Sequence, residues 1–419
     1  MSPDQQQFRW LGRRLPGPDQ RRVVVLTGAR QTGKTTLARS RYRDLRYVNL
    51  DDAEAREALR SVRTVAWART VGNAVLDEAQ KEPSVFEKVK YAFDEGSIRF
   101  TALLGSSRIL LLNQVRETLA GRAFLYELWP LMLSELLAAA DEEPPIPLFG
   151  RLLANGSGVA GVLGEEPEVL LGEDEAARLG AFEHLERWGG MPGLLPLDEA
   201  DRRTWLRSYQ QTYLERDLAE LVQLRDLQPF RTLQRLLMLR TAQLLSYAEL
   251  ARDAALSPTT VRRYVEYLDI SYQIVRLHPF AENLTSSVIK APKLYWCDLG
   301  LLREGCAQWG PTTGPLFETL VLTECHKWIQ TAAADAELFF YRTRSGREVD
   351  LLIRTPAGIL GLEVKNRPRT DPSDARPMRA LAEAAGKRWL GGLVVYRGAA
   401  LRPLDAEGAV WAVPAHRLF

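Results

Sequence analysis

Short, unbroken apolar runs punctuate the first hundred residues. Val23-Val24-Val25-Leu26 is apolar at every position, the pattern of a strand buried on both faces, and it runs straight into a glycine-containing loop. Three further strands are predicted at Tyr47 to Leu50 ahead of Asp51-Asp52, Asn73 to Leu76 ahead of Asp77-Glu78, and Phe100 to Leu104 ahead of Gly105-Ser106-Ser107. From about Ala138 to Gly180 the periodicity fades into acidic sequence rich in Pro and Gly (DEEPPIPLFG, ANGSGVAGVLGEEPEVLLGEDEA), which reads as a linker or mobile insertion. Helical spacing returns from Trp205 to Leu221, a connector that carries Arg207, Arg216 and Asp217.

Ser246 to Ala251 then reads as a short helix and Ala255-Leu256 as a turn. A second helix opens at Ser257, an N-cap residue, with Pro258 at its first position. Tyr272 to Leu277 and Lys290 to Tyr295 predict a hairpin with Lys290 and Lys293 exposed. Pro315 to Glu324 begins another helix, and strands follow at Leu338 to Tyr341, Gly346 to Ile353 and Gly361 to Lys365.

At 419 residues and 46% hydrophobic, the chain is too long for one ordinary core and apolar enough for several. The pattern divides it at 1–180, 181–300 and 301–419. A balance of 55 basic against 53 acidic residues, net +2, neither demands nor excludes a nucleic-acid partner, so local patches must decide. Cys297, Cys306 and Cys325 form no CxxC pair and His184, His278, His326 and His416 are scattered, which gives neither a disulfide framework nor a zinc signature. The N-terminus lacks the order of a secretory signal and no apolar run approaches the roughly 20 residues that span a bilayer. The expectation is a cytoplasmic protein with no membrane partner.

The loop after the first strand, Gly28-Ala29-Arg30-Gln31-Thr32-Gly33-Lys34-Thr35-Thr36, contains a complete phosphate-cradling pattern in the required strand–loop–helix context. Its glycines let backbone N–H groups turn toward phosphate oxygens, Lys34 reaches the terminal phosphates, and Thr35 offers a hydroxyl to Mg2+. Asp77 is placed to hold the metal through water and Glu78 to polarise the water that attacks the γ-phosphate. Ser106 or Ser107, at the polar end of the fourth strand, is a candidate γ-phosphate sensor. ATP and Mg2+ are the implied cofactors, and ATP hydrolysis the implied reaction.

With TGARQTGKTTLA, YVNLDD, LDEAQKEPSVFEKVK, LLGSS, LAGRAFLYELWPLMLSEL, WGGMPGLL, WLRSYQQTYLERDL and SYAELARDAALSPTTVRRYVEYLD, the chain resembles the AAA-type ATPases of bacteria and archaea whose C-terminal half is catalogued as a domain of unknown function. The resemblance implies that Arg122, in the LAGR segment, reports nucleotide state or acts on a neighbour's nucleotide. Arg116 and a structural arginine are the alternatives. It also implies a homo-oligomer, in some relatives a ring.

The two helices around Ala255-Leu256 make a helix-turn-helix. Thr259, Thr260, Arg262 and Arg263 would meet bases or phosphates if the second helix entered a major groove, while packing inside the ATPase is the other use of such a module. With the hairpin, a winged helix is expected. In the last third, neighbouring strands would bring Asp350 beside Glu363 and Lys365, two carboxylates and a lysine suited to metal-assisted phosphodiester cleavage. Glu363 and Lys365 share one face and Val364 points into the core. This pattern resembles the restriction-endonuclease-like PD-(D/E)XK core, which implies Mg2+ at Asp350 and Glu363, Lys365 acting on water, and Glu318 as a further acidic residue, with Glu324 the less favoured choice.

The expected architecture is therefore α/β: an N-terminal P-loop AAA-type ATPase domain, a winged-helix middle and a restriction-endonuclease-like C-terminal α/β domain. The expected function is ATP-driven remodelling or cleavage of DNA, branched substrates such as Holliday junctions among them, in repair, recombination or defence. The alternative is an ATP-dependent signalling switch whose nuclease-like domain binds without cutting. A small-molecule kinase is a weaker third reading, since no second substrate pocket can be argued.

Overall fold

The computed structural model describes residues 7–105, 108–138, 143–156, 158–213, 227–280, 291–343 and 346–419. Ser106 and Ser107, the sensor candidates, and Arg216, Asp217 and Lys290 lie outside the described residues. The chain folds as two compact units, one of residues 2–130 with 270–272, the other of residues 131–269 with 273–419.

The N-terminal unit is built on a five-stranded parallel sheet of β1 (Arg22–Thr27), β2 (Arg46–Asn49), β3 (Ala74–Asp77), β4 (Phe100–Leu104) and β5 (Ala123–Glu127), in the order β2-β3-β4-β1-β5. Helices α1 (Lys34–Arg41) and α2 (Ser84–Asp94) belong to opposite faces. Val23 and Val25 enter the core that holds Phe86 of α2, while Val24 and Leu26 enter the one that holds Leu37 of α1. A strand with a core on each side needs apolar residues throughout, which explains the unbroken run at β1. Because β4 lies between β1 and β3, the end of β4 separates the loop after β1 from the acidic end of β3.

The second unit carries a nine-stranded sheet in the order β13-β14-β12-β11-β10-β9-β7-β8-β6. Helices α3 (Tyr247–Asp253) and α4 (Pro258–Ile270) stand between the short β6 (Gln243–Leu244) and the antiparallel pair β7 (Ile274–Pro279) and β8 (Lys293–Trp296). Helix α5 (Gly314–Ala332) then precedes β9 (Glu337–Arg342), β10 (Glu348–Arg354) and β11 (Ile359–Lys365), an antiparallel run. Helix α6 (Arg376–Ala385) crosses to β12 (Trp389–Tyr396), which lies parallel to β11, and β13 (Arg402–Pro403) and β14 (Val410–Pro414) complete the edge. Met378 and Leu381 of α6 pack with Leu352 and Val394 in the core beneath β10–β12.

Two expectations are corrected. The segment from 138 to 180 is no linker where described: Leu148–Ala154, Val159–Leu163 and Glu173–Trp188 are helices, the first burying Leu148, Phe149 and Leu152. The first two helices are 7 and 5 residues long, too short to display a period, and Gly150 is there because a Cβ would stand 2.5 Å from the Trp328 ring. Across the boundary expected at 300, β7 pairs in parallel with β9 through His278↔Phe339 and Pro279↔Phe340, so the hairpin and the C-terminal strands share one sheet. By compactness the N-terminal unit runs to Pro130. Finally, Lys293 is not exposed on a wing; its side chain is 3% accessible, enclosed by carboxylates from α5 and β10.

Among the described residues no helix is long and apolar enough to cross a membrane, and Cys297, Cys306 and Cys325 are free and buried.

Candidate functional sites

At the end of β1 the backbone turns where only glycine fits: Gly28 has φ +145°, and a Cβ there would stand 2.2 Å from the carbonyl oxygen of Leu128. Gln31 and Gly33, at φ +59° and +94°, complete the turn onto the N-terminus of α1, where unpaired helical N–H groups collect. Thr32 is fully buried and its hydroxyl donates to the Ala29 carbonyl at 2.9 Å. The Lys34 ammonium, almost buried, donates to the carbonyls of Gly28 and Ala29 at 3.0 and 2.7 Å. Thr36 is exposed on α1 and Arg30 half-buried on the loop.

Thr35 Oγ1 donates to Asp77 Oδ2 at 2.6 Å, and Tyr47 Oη donates to the same oxygen at 2.8 Å. Burial and this hydrogen bond push the Tyr47 hydroxyl well above its ordinary value, so it remains a donor. A threonine hydroxyl beside a carboxylate at the rim of a phosphate loop is a hard-oxygen donor set, and it fits magnesium. Glu78 holds a left-handed backbone conformation, φ +53°, and its Oε2 accepts from Gln80 Nε2 at 2.6 Å. Gln80 Oε1 lies where a Cβ on Gly105, at the end of β4, would come within 2.3 Å. Tyr47 and Gln80 were not singled out from sequence, nor was Arg9, which donates to the Thr32 carbonyl at 2.8 Å and also to that of Trp129.

Arg122 is placed differently from expectation. Its guanidinium grips Asp94 at 2.6 and 2.9 Å, just before Ala123, the residue that pairs with Val23 at the start of β1. The phosphate loop leaves the opposite end of β1, so Arg122 stands away from the same chain's loop and, bound to Asp94, takes the place of the structural arginine that is the alternative. Arg116 is exposed on the helix Arg108–Thr118.

In the second unit, β10 and β11 pair with Leu351 opposite Leu362, which sets Asp350 beside Glu363 as the sequence predicts. A register shift between β10 and β9 falls at this point, between Val349 and Leu352. Asp350 Oδ2 accepts the Val364 N–H at 2.8 Å, and Glu363 Oε1 accepts from Lys365 Nζ at 2.7 Å. The Glu363–Lys365 contact puts both on one face of β11; Glu363 is buried and Val364 only half-buried, since β11 is a central strand with both faces covered. Glu318 arrives from α5. Glu324 does not: it is 1% exposed, accepts the Leu133 N–H at 2.8 Å and pairs with Lys327.

The acidic group has an occupant that periodicity did not reveal. Lys293 Nζ lies 2.6 Å from Glu348 Oε1, 3.1 Å from Glu318 Oε1 and 3.9 Å from Asp350 Oδ1. Tyr295, two residues along β8 and hence on the same face, donates to that same Glu318 oxygen at 2.6 Å. Burial, with the Asp350 charge adding to it, pushes the Glu318 and Glu363 carboxyls up to about 7. Burial disfavours the Lys293 ammonium, but Glu318, Asp350 and Glu348 outweigh it and hold the group charged. Among the described residues no three His, Cys, Asp or Glu side chains are grouped to hold a metal ion. The set Glu318, Asp350 and Glu363 does not fit a divalent ion as it stands, because an ammonium already sits among the carboxylates.

Helices α3 and α4 meet at a turn in which Ala255 has φ +53°. Ser246 caps α3, and Ser257 Oγ accepts the Thr260 N–H at 3.1 Å to cap α4. Thr259, Arg262 and Arg263 are exposed, whereas Thr260 is half-buried with its hydroxyl 2.9 Å from that of Ser257. The Arg262 guanidinium stacks over the Tyr247 ring at 4.4 Å, and Arg263 lies 5.6 Å from the Tyr264 ring.

Three family models match the chain in succession. Residues 20–137 match an AAA domain, 180–307 a domain of unknown function (DUF8612), and 313–418 another domain of unknown function (DUF4143). The first match supports an AAA-type ATPase in the N-terminal unit, with the nucleotide binding that this implies. Relatives include the uncharacterized protein Rv2008c of Mycobacterium tuberculosis, 29% identical over 94% of this chain and 80% of its own length. The uncharacterized protein MJ1544 of Methanocaldococcus jannaschii is 23% identical over 79% and 72%. Among solved structures, the Walker-type ATPase PABY2304 of Pyrococcus abyssi aligns over 68% of this chain and 90% of its own at 16% identity and a TM-score of 0.39.

Proposed function

We propose that the protein couples ATP hydrolysis to the handling of DNA. The ATPase half of the reading stands on the 2.6 Å contact that joins Thr35 to Asp77 across the phosphate loop. There the loop N–H groups and Lys34 bind and orient the phosphates, Glu78 polarises the attacking water, and Gln80 fixes the Glu78 carboxylate. Thr35 and Asp77 would hold Mg2+, which when bound would supply neutralisation of phosphate charge. Arg122, or Arg116, would act on a neighbour's nucleotide in a homo-oligomer.

The observation that carries the DNA half is the exposure of Thr259, Arg262 and Arg263 on the first turns of a capped helix, set in a helix-turn-helix with an adjoining hairpin, as a winged helix is. A second reading, of an ATP-dependent switch whose nuclease-like domain binds without cutting, is favoured by the Lys293 ammonium inside the acidic group.

Labelled linear, forked and four-way DNA, incubated with the purified protein with and without ATP and with Mg2+ or Mn2+, tests both. Binding or remodelling that responds to ATP supports the first proposal. Scission that is lost in Asp350→Ala and Glu363→Ala would restore the cutting reading, and no binding to any of the three DNAs would remove DNA altogether.

A further inference from the structure

We propose that Lys293 is the resident counter-cation of the Glu318, Glu348 and Asp350 carboxylates, so that the acidic site carries an ammonium where a nuclease-like reading implies a divalent metal, and takes up such a metal only when that ammonium is removed. The inference starts from the nuclease-like reading of this group; its readout is metal binding, so the two fail separately.

An ammonium has three protons to donate and, at a buried position, needs acceptors for them. Lys293 Nζ finds one at 2.6 Å on Glu348, one at 3.1 Å on Glu318 and a third carboxylate, Asp350, at 3.9 Å. Its side chain is 3% exposed, so water cannot replace these partners. Tyr295 closes the arrangement by donating to the Glu318 oxygen that also faces Lys293. Two other oxygens near the centre are also engaged, Asp350 Oδ2 by the Val364 N–H and Glu363 Oε1 by Lys365. Glu363 Oε2 is the exception, buried without a hydrogen-bond partner.

A divalent ion entering here would sit within a few ångströms of a fixed positive charge with no water between them to screen it. It would also compete for the carboxylates that Lys293 holds. Removing the charge while keeping the stem reverses both effects: the carboxylates lose their cation, and a metal becomes the group that can replace it. Glu363 Oε2, already unpaired, then becomes available as a ligand alongside Asp350.

The test is Mn2+ titration of the full-length, nucleotide-free protein, followed by calorimetry and by the electron paramagnetic resonance signal of free Mn2+. Leaving out nucleotide removes the phosphate ligands on which metal binding at the Thr35–Asp77 site depends. Lys293→Met, of similar length and without charge, should bind Mn2+ about tenfold or more tightly than the wild type. Adding Glu363→Gln to it should abolish the gain. Lys293→Gln, whose amide can still donate to Glu348, is the second variant if methionine compromises folding, as judged by circular dichroism. The wild type alone decides if neither folds: its unfolding temperature should be indifferent to Mn2+. Saturable Mn2+ binding by the wild type, as tight as in either variant or lost in the Glu363→Gln single variant, would overturn the proposal.

Discussion

In the proposed reaction Lys34 and Glu78 would serve one phosphate by different means, and their substitutions should separate. If Lys34 contacts phosphate as proposed, Lys34→Ala should weaken nucleotide affinity and turnover together. Glu78→Gln preserves shape and loses the charge that polarises water, so nucleotide should still bind while turnover falls by about 10²-fold or more. Binding by a fluorescent ATP analogue and phosphate release, measured on each variant, check this; wild-type turnover in Glu78→Gln would remove the residue from the chemistry. Gln80 enters the same experiment. It holds Glu78 Oε2 at 2.6 Å, so Gln80→Leu should lower turnover less than Glu78→Gln and leave affinity unchanged. Such residues differ in how plainly the sequence announces them. The phosphate loop is a contiguous string whose chemistry is local. Gln80 acts through a turn at Glu78 with positive φ that no pattern predicts, and Lys293 meets Glu318 across 25 positions because β8 runs beside α5.

At the scale of elements, the helix-turn-helix was readable because capping is local: Ser257 and Pro258 mark the start of α4 in both sequence and structure. The stacking of Arg262 on Tyr247 was not readable, since it depends on the angle between α3 and α4. It also sharpens the DNA test. Arg262→Ala and Arg263→Ala together should weaken DNA binding and reduce the slope of log affinity against log salt by about one per lost phosphate contact, with ATP turnover in the absence of DNA unchanged. A folded double variant with an undiminished slope would assign both arginines to packing. The helices also carry a pH response. Burial, with Arg202 nearby, pushes His184 down to about 4, and burial with Lys327 nearby does the same to His326, from an ordinary 6.5. Both rings fold uncharged, so the unfolded chain takes up protons first. Their contribution to stability is complete above pH 6.5 and is lost as pH falls toward 4. Unfolding temperatures across that range should drop, and His184→Phe should flatten part of the decline; a profile identical to wild type would mean that His184 does not differ between the two states.

On the scale of the whole molecule, the three successive family matches meet a fold that divides differently, because the compact N-terminal unit is not contiguous in sequence. It ends at Pro130 and is completed by Ile270–Tyr272. The Tyr272 hydroxyl is 2.7 Å from Thr27 Oγ1, one residue before the phosphate loop, and donates to Glu127 Oε1 at 3.1 Å, while its ring meets Trp129 edge-on at 5.1 Å. Sequence patterns cannot show this, since a lone tyrosine after a helix looks the same whether it closes its own domain or another. A fragment cut at 130, or at the expected boundary of 180, would keep every phosphate-loop residue yet lack this closure. Both fragments should melt below the corresponding transition of the full chain and bind ATP more weakly, whereas Tyr272→Phe in the full chain, which keeps the ring and loses both hydroxyl contacts, should cost about 1–3 kcal/mol. Calorimetric unfolding with and without nucleotide compares all three proteins. A 1–130 fragment as stable and as tight for ATP as the intact chain would show that Tyr272 is a passenger, and that the phosphate loop is organised by contiguous sequence alone.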